Sequence, residues 1–488
     1  MDNIIVDLGD EPIIKYEVNI MFDYKVKIGL LPLRRDATPR PAKTFLTWVS
    51  AEERGHRFVK YIEDNFANEN VEFVNTNGLG CNDLIFDAAS ADAAVARFKE
   101  AGVDAVLIIN ANFGNEEAAA DIAKAMDKPV CIWAPLDDEY YEHGMRPTDS
   151  QCGSFGLSRQ MQRYHIPFSH INCCRVESDT FAEGFDSFIR VACMVKNFRG
   201  MRIGQLGART RPFYSVIWNE GELMEKFGIR IIPINFAFVQ QAYNEVKETM
   251  QDEIKEVLQY FKDNYEMDDL TPNYLDTMAT MVVTYKKLFK DYNVDIMSSE
   301  CWTGFIQMFD GFCPCAVFGV LNDMGYYVAC ESDMHCAITA SLLTSASLGK
   351  ARPFLGEFTV RHPENKNAEL LWHCGPFPLS VKAPDSPALL VNQREWFRGK
   401  DGTYTVARID QESGNYMVLP LLAKTCEGPE THGTYIWAEF NDLDRIESRL
   451  LDGPYIHHFV EIEGDYRREF KEFCKYFPNL KYDDSCEK

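Results

Sequence analysis

Short runs of aliphatic and β-branched residues alternate with amphipathic stretches through the first third of the chain. The pattern predicts strands over 25–33 (KVKIGLLPL), 71–74, 105–110 (AVLIIN) and 130–134. Helices are expected between them, over 50–66, 92–101 and 116–126. Strands and helices alternating at this spacing build a parallel sheet with helices on both faces, because parallel neighbours need a long crossover. No GxGxxG follows the first strand, so the dinucleotide fingerprint is absent.

A second unit of the same texture begins near Asp179, with a helix over 181–198. Strands follow at 202–206 and 230–234 with a helix between them, then a long charged helical region from 242 to about 292. Strands at 295–298 and 328–330 lead to a helix over 333–348. After Pro353 the period shortens to two, at 358–360, 369–373, 404–409, 416–419, 434–440 and 457–460. Gly, Pro, Asn and Asp punctuate these runs, as in a mostly antiparallel sheet or small barrel. A final helix is expected over 465–477. The fold class is therefore α/β, with two Rossmann-like α/β domains (1–178 and 179–353) and a mostly antiparallel β domain (354–488). A length of 488 residues demands such a division, since single cores stop growing near about 250–300 residues.

Composition narrows the function classes. The chain is 46% hydrophobic and 25% charged with a mean hydropathy of -0.26, and no apolar run could span a bilayer. Acidic residues precede any apolar run in Met1 to Asp10, the wrong order for a secretory signal. Fifteen cysteines, an odd number, suit a reducing compartment, and a cytoplasmic location is expected. Cys173-Cys174 and Cys313-Pro314-Cys315 lack a second pair or a His at zinc-finger spacing and read as buried thiols. The net charge of -24 repels nucleic acid and anionic lipid, so neither is expected as a partner.

Three clusters could carry chemistry. In Cys330-Glu331-Ser332-Asp333-Met334-His335, two carboxylates and an imidazole stand where a strand gives way to a helix, the end of a parallel sheet where ligands bind. Helix capping accounts for Asp333 but not for Glu331, which precedes the cap. Glu357 opens a strand and His373 lies in the next, so antiparallel pairing could bring them to one face. His457 and His458 are adjacent in a strand and point to opposite faces, so at most one suits a given metal. Carboxylates and imidazoles without thiolate suit Mn²⁺, Mg²⁺ or Co²⁺ better than structural zinc. Such a site serves aldose–ketose isomerisation, in which a cation on the sugar oxygens acidifies the C2 proton and two carboxylates move it to C1 through a cis-enediol.

The stretches GYYVACESDMHCAITASLL (325–343), FLGEFTVRHPENKNAELLWHCG (354–375) and GPYIHHFVEIEGDY (453–466) resemble the metal-site motifs of the L-fucose and L-arabinose isomerase superfamily. The resemblance implies metal ligands Glu331, Glu357 and His458, with Glu331 and Glu357 also catalytic. It implies pocket roles for His373 and His457, and a substrate wall around Ser299 to Trp302 and Gln307, with Trp302 able to stack on a sugar face. Arg35 is the residue that would complete a neighbouring subunit's pocket. Mn²⁺, a monosaccharide substrate and a homo-oligomer, most commonly a hexamer, are implied as well. L-fucose, L-arabinose, D-arabinose and a C6-modified hexose such as sulfoquinovose are all open as substrates. An anionic sugar would need local cations, for which Arg34, Arg35, Arg209, Arg211 and His335 are sources. The alternatives are a periplasmic-type sugar-binding protein, which would lack the metal carboxylates, and a non-catalytic sugar-binding homologue of the same fold.

Overall fold

The strand Val26–Leu33 is buried along nearly its whole length and pairs in parallel with Val71–Val74 on one side and Ala105–Asn110 on the other. Val130–Pro135 and Ser169–Cys174 extend the sheet, giving the spatial order second, first, third, fourth, fifth. Apolar runs such as AVLIIN are buried at every position, as strands covered on both faces must be. The structure, a computed structural model, describes residues 22–38, 48–137, 144 and 146–487. Met1 to Asp10, which entered the expectation of a cytoplasmic chain, lie outside the described residues.

The described residues fall into two compact units, Tyr24–Lys196 with Lys471–Tyr476, and Asn197–Phe470 with the segment that starts at Phe477. The first holds the five-stranded sheet. The second holds two sheets. One is four-stranded and parallel, in the order Val328–Ala329, Ile296–Ser299, Arg202–Leu206, Arg230–Ile234. The other has ten strands, and six of them close on themselves. Asn415–Thr425, Thr403–Glu412, His458–Glu463, Phe354–Arg361, Ala368–His373 and Thr434–Glu439 pair antiparallel in that order. Lys424 and Thr425 then pair with Glu439 and Ala438 to complete the ring. Phe354, Phe377, Tyr404, Val406, Leu421, Ile436 and Phe459 belong to one buried cluster of this sheet. The parallel sheets and the antiparallel barrel agree with the fold class expected from periodicity.

Differences from expectation have local causes. The charged region 242–292 is three helices, Phe236–Thr249, Gln251–Asn264 and Leu275–Tyr292. The break before the third falls at Thr271-Pro272-Asn273, where proline starts a short 3₁₀ turn. The helix Ser150–Arg163 and strand Ser169–Cys174 carry too weak an apolar period to be read in advance. So do the short strands Leu389–Val391 and Leu480–Tyr482.

One helix positions the chemistry. Met334–Ala346 is buried at all of its residues, because it packs within the second unit with strands of both of its sheets as neighbours. Its small side chains (Ala, Ser, Thr, Cys) permit that close approach, and Thr339 Oγ1 accepts the Ile409 backbone N–H of the barrel at 3.0 Å.

Candidate metal centre

Glu331 lies two residues past the short parallel strand Val328–Ala329, in a left-handed conformation, φ 61°, and Ser332 follows at φ 60°. Two consecutive non-glycine residues in that region cost about 1–3 kcal/mol each, strain of the kind held at functional sites. Ser332 Oγ donates to Ala208 O at 3.0 Å and Asp333 caps the helix by accepting Cys336 N–H at 3.0 Å, so both neighbours of the strained turn are held. Glu357 lies directly across the antiparallel pair from His458, and so on the same face of the barrel wall.

These elements converge at one imidazole nitrogen. His458 Nε2 lies 3.1 Å from Glu331 Oε2 and 3.5 Å from Glu357 Oε1. Glu357 Oε1 lies 4.0 Å from His373 Nε2. Glu331, Glu357 and His373 each offer a ligating atom within 4.8 Å of the others, and Glu357, His457 and His458 do the same. Glu331 Oε2, His458 Nε2 and His373 Nε2 are buried and make no hydrogen bond. Buried polar atoms are almost always satisfied, so Glu331 Oε2 and His458 Nε2, unsatisfied beside the Glu357 carboxylate, fit a bound cation. Oxygen and nitrogen donors of this kind suit a hard or borderline divalent ion.

The two buried imidazoles differ in what their other nitrogen meets. His458 Nδ1 lies 3.0 Å from Asp333 Oδ2, a carboxylate that can only accept. That fixes the proton on Nδ1 and turns a lone pair at Nε2 toward the carboxylates when the ring is neutral. His373 Nδ1 accepts the Cys374 backbone N–H at 2.9 Å, which places the proton of a neutral ring on Nε2. A neutral His458 ring thus presents a lone pair at Nε2, and a neutral His373 ring an N–H.

Asp333 is held in turn. Arg408 Nη1 donates to its Oδ2 at 2.8 Å and to His458 O at 3.1 Å, while Arg408 Nε donates to Asp410 Oδ2 at 2.7 Å. His335 Nδ1 lies 3.3 Å from Asp410 Oδ1 and closes the row. Asp333, Arg408, Asp410 and His335 are all buried. Burial disfavours the Asp333 charge, but Arg408 and His458 outweigh it and hold the carboxyl well below its usual range. Burial likewise opposes ionisation of Glu357, yet His458 and His373 bring it down to about 2. Burial opposes the His458 charge too, and its three carboxylate neighbours overcome this and raise it well above the ordinary value. His373 is lowered, chiefly by burial.

The other expected site residues are placed unevenly. His457 is exposed beside the buried His458, their ring centroids 4.5 Å apart, as adjacent residues on opposite sides require. Trp302 is partly buried and meets Phe213 edge-on at 5.4 Å, and Phe213 meets the His458 ring at 6.2 Å. Gln307 is exposed on the short helix Gly304–Met308, and its hydrogen bond is a backbone one to Thr303. Arg35 belongs to the first unit, where its guanidinium lies over Phe113 at 4.8 Å. Arg34 is buried in that unit and pairs with Glu52 at 2.9 Å, so neither it nor His335 is a free cation for an anionic ligand. Sequence reasoning missed Arg408, Asp410 and Phe213. The Arg-x-Asp pattern of a strand carries no signal by itself, though charges at inward positions of Thr403–Glu412 could have raised the question.

A strained turn at a sheet end and a carboxylate–imidazole cluster on a barrel wall make a candidate divalent-cation site of the open, mixed-donor class. Residues 41–199 match the family model described as "Fucose/sulfoquinovose isomerase, N-terminal domain". Curated relatives named sulfoquinovose isomerase match most of the chain. The protein from Alkalicoccus urumqiensis is 23% identical over 77% of this chain and 84% of its own. That from Priestia aryabhattai is 26% identical over 74% and 81%, and that from Clostridium sp. (strain MSTE9) 22% over 75% and 82%. The chain is thus similar to the fucose/sulfoquinovose isomerase family over residues 41–199 and to these relatives over about three quarters of its length.

Proposed function

We propose that the protein is a metal-dependent aldose–ketose isomerase acting on sulfoquinovose, with Mn²⁺ held by Glu331, Glu357 and His458. The observation that carries this reading is the convergence of Glu331 Oε2, Glu357 Oε1 and His458 Nε2, two of them buried without a hydrogen bond. The names of the relatives supply the substrate.

A bound divalent cation would supply Lewis-acid polarisation of the sugar's carbonyl and hydroxyl oxygens. The rest falls to the chain. Glu331 and Glu357 flank the site as a carboxylate pair, one removing the C2 proton of the open-chain aldose and the other serving the oxygen proton transfer. A cis-enediol links the two sugars, and return of a proton to C1 gives the ketose. Glu357, held ionised at neutral pH by its two histidine neighbours, is ready to ligate or to accept a proton. His373 donates from Nε2 and orients a substrate oxygen, while His457 lines the open side. Trp302 and Phe213 form an apolar wall for the carbon chain. We further propose that the enzyme is cytoplasmic and a homo-oligomer. No described helix is long and apolar enough to cross a membrane.

The test is ketose formation from sulfoquinovose by the Mn²⁺-loaded protein. Conversion that EDTA abolishes and Mn²⁺ restores supports the reading. Metal bound at full occupancy without conversion of any aldose favours the non-catalytic sugar-binding homologue.

A further inference from the structure

Sulfoquinovose carries a permanent anion on C6, and a chain of net charge -24 repels anions at long range. Recognition of that group needs a local cation close to the metal centre. Within the unit that holds the centre, Arg408 is committed to Asp333 and Asp410. A different pair stands on the segment that follows the strand Arg202–Leu206.

That segment is pinned to the centre at two points. Ala208 O accepts the hydroxyl of Ser332, the residue after Glu331, at 3.0 Å. Its backbone N–H donates to Glu300 Oε2 at 3.2 Å. Five residues later, the Phe213 ring lies 6.2 Å from that of His458. Arg209 and Arg211 lie between the pins, and the intervening Thr210 is fully buried, so the stretch is anchored in its middle too. Arg211 is exposed and Arg209 half-buried. Arg209 Nη1 donates to the carbonyls of Thr210 and Arg211, both at 3.1 Å, and its guanidinium lies over Tyr214 at 4.9 Å. These contacts hold the planar group in place and use few of its five donors. Neither arginine has a carboxylate within ion-pair distance among the described residues. Two guanidinium groups without a carboxylate partner, on the segment that carries Phe213 against Trp302, match an anionic tail at the end of a carbon chain.

We propose that Arg209 and Arg211 recognise the C6 sulfonate and set the preference for a sulfonated hexose; this rests on the sulfoquinovose reading above. The sulfonate lies away from the reacting carbons, so its binding is the same in ground and transition states and appears in KM rather than kcat.

The experiment is steady-state kinetics of the full-length Mn²⁺-loaded enzyme on sulfoquinovose, for wild type, Arg209→Met, Arg211→Met, the double variant and the two Arg→Lys variants. Mn²⁺ binding is followed by calorimetry to establish that each variant keeps its centre. Each Met variant is expected to raise KM by about 10- to 100-fold, the worth of a charge-assisted hydrogen bond, with kcat held within a few-fold. Lysine should restore much of the loss. Wild-type KM should rise with salt, and the double variant's should not. A double variant that binds Mn²⁺ and keeps the wild-type KM and salt dependence overturns the inference while leaving the isomerase reading intact. A wild-type enzyme that does not convert sulfoquinovose overturns the substrate reading, and the inference with it.

Discussion

His458 and His373 are both buried imidazoles on the barrel wall, yet one neighbour apiece separates their chemistry. A carboxylate at Nδ1 of His458 and a backbone N–H at Nδ1 of His373 select opposite tautomers. His458→Ala should therefore weaken Mn²⁺ binding strongly, while His373→Ala should leave it within a few-fold and change turnover instead. Calorimetry against kinetics separates the two, and equal loss of metal affinity in both variants would contradict the tautomer argument. Asp333→Asn keeps a good helix cap but removes the charge that orients His458. Mn²⁺ affinity should fall by about 10- to 100-fold, and an unchanged affinity would relegate Asp333 to capping. Glu331→Gln and Glu357→Gln should each abolish turnover with the fold retained, as judged by circular dichroism. Glu331, Glu357 and His458 could be singled out in sequence because they stand in the three motifs that carry the resemblance. The double duty of Asp333 was not legible, since a cap explains that residue fully until the barrel strand is brought against it.

Strands and helices of the parallel sheets were legible because burial on both faces produces unbroken apolar runs such as AVLIIN. Barrel closure was not, because alternation tells which face is buried and not which strand is the neighbour. The pairing of Lys424 with Glu439 that closes the ring leaves no mark in either strand's period. The strand Ala368–His373 carries a testable electrostatic burden. Burial raises Glu369 to about 7 from an ordinary 4.5. Between those values the folded chain binds more protons than the unfolded one, so this group's contribution lowers stability as pH rises. Glu369→Gln should thus raise the urea midpoint at pH 8 more than at pH 5. An equal shift at both would place the effect in packing and not in charge.

A metal at the proposed site would couple to folding of the second unit, because its ligands come from segments far apart in the chain: Glu331 beside the parallel sheet, Glu357 and His458 from two barrel strands. An ion that binds only the folded chain stabilises it by about 2.7 kcal/mol at a hundred times its Kd. Mn²⁺ should raise the unfolding temperature of the wild type and not that of the Glu331→Gln, Glu357→Gln double variant. A shift of equal size in both would place the bound ion elsewhere. The most direct experiment gives the Mn²⁺-loaded protein sulfoquinovose and follows the ketose by NMR. Conversion to an aldose–ketose equilibrium, stopped by EDTA and recovered with Mn²⁺, is the expected result. Full metal occupancy with no ketose from sulfoquinovose or from any other aldose would contradict it.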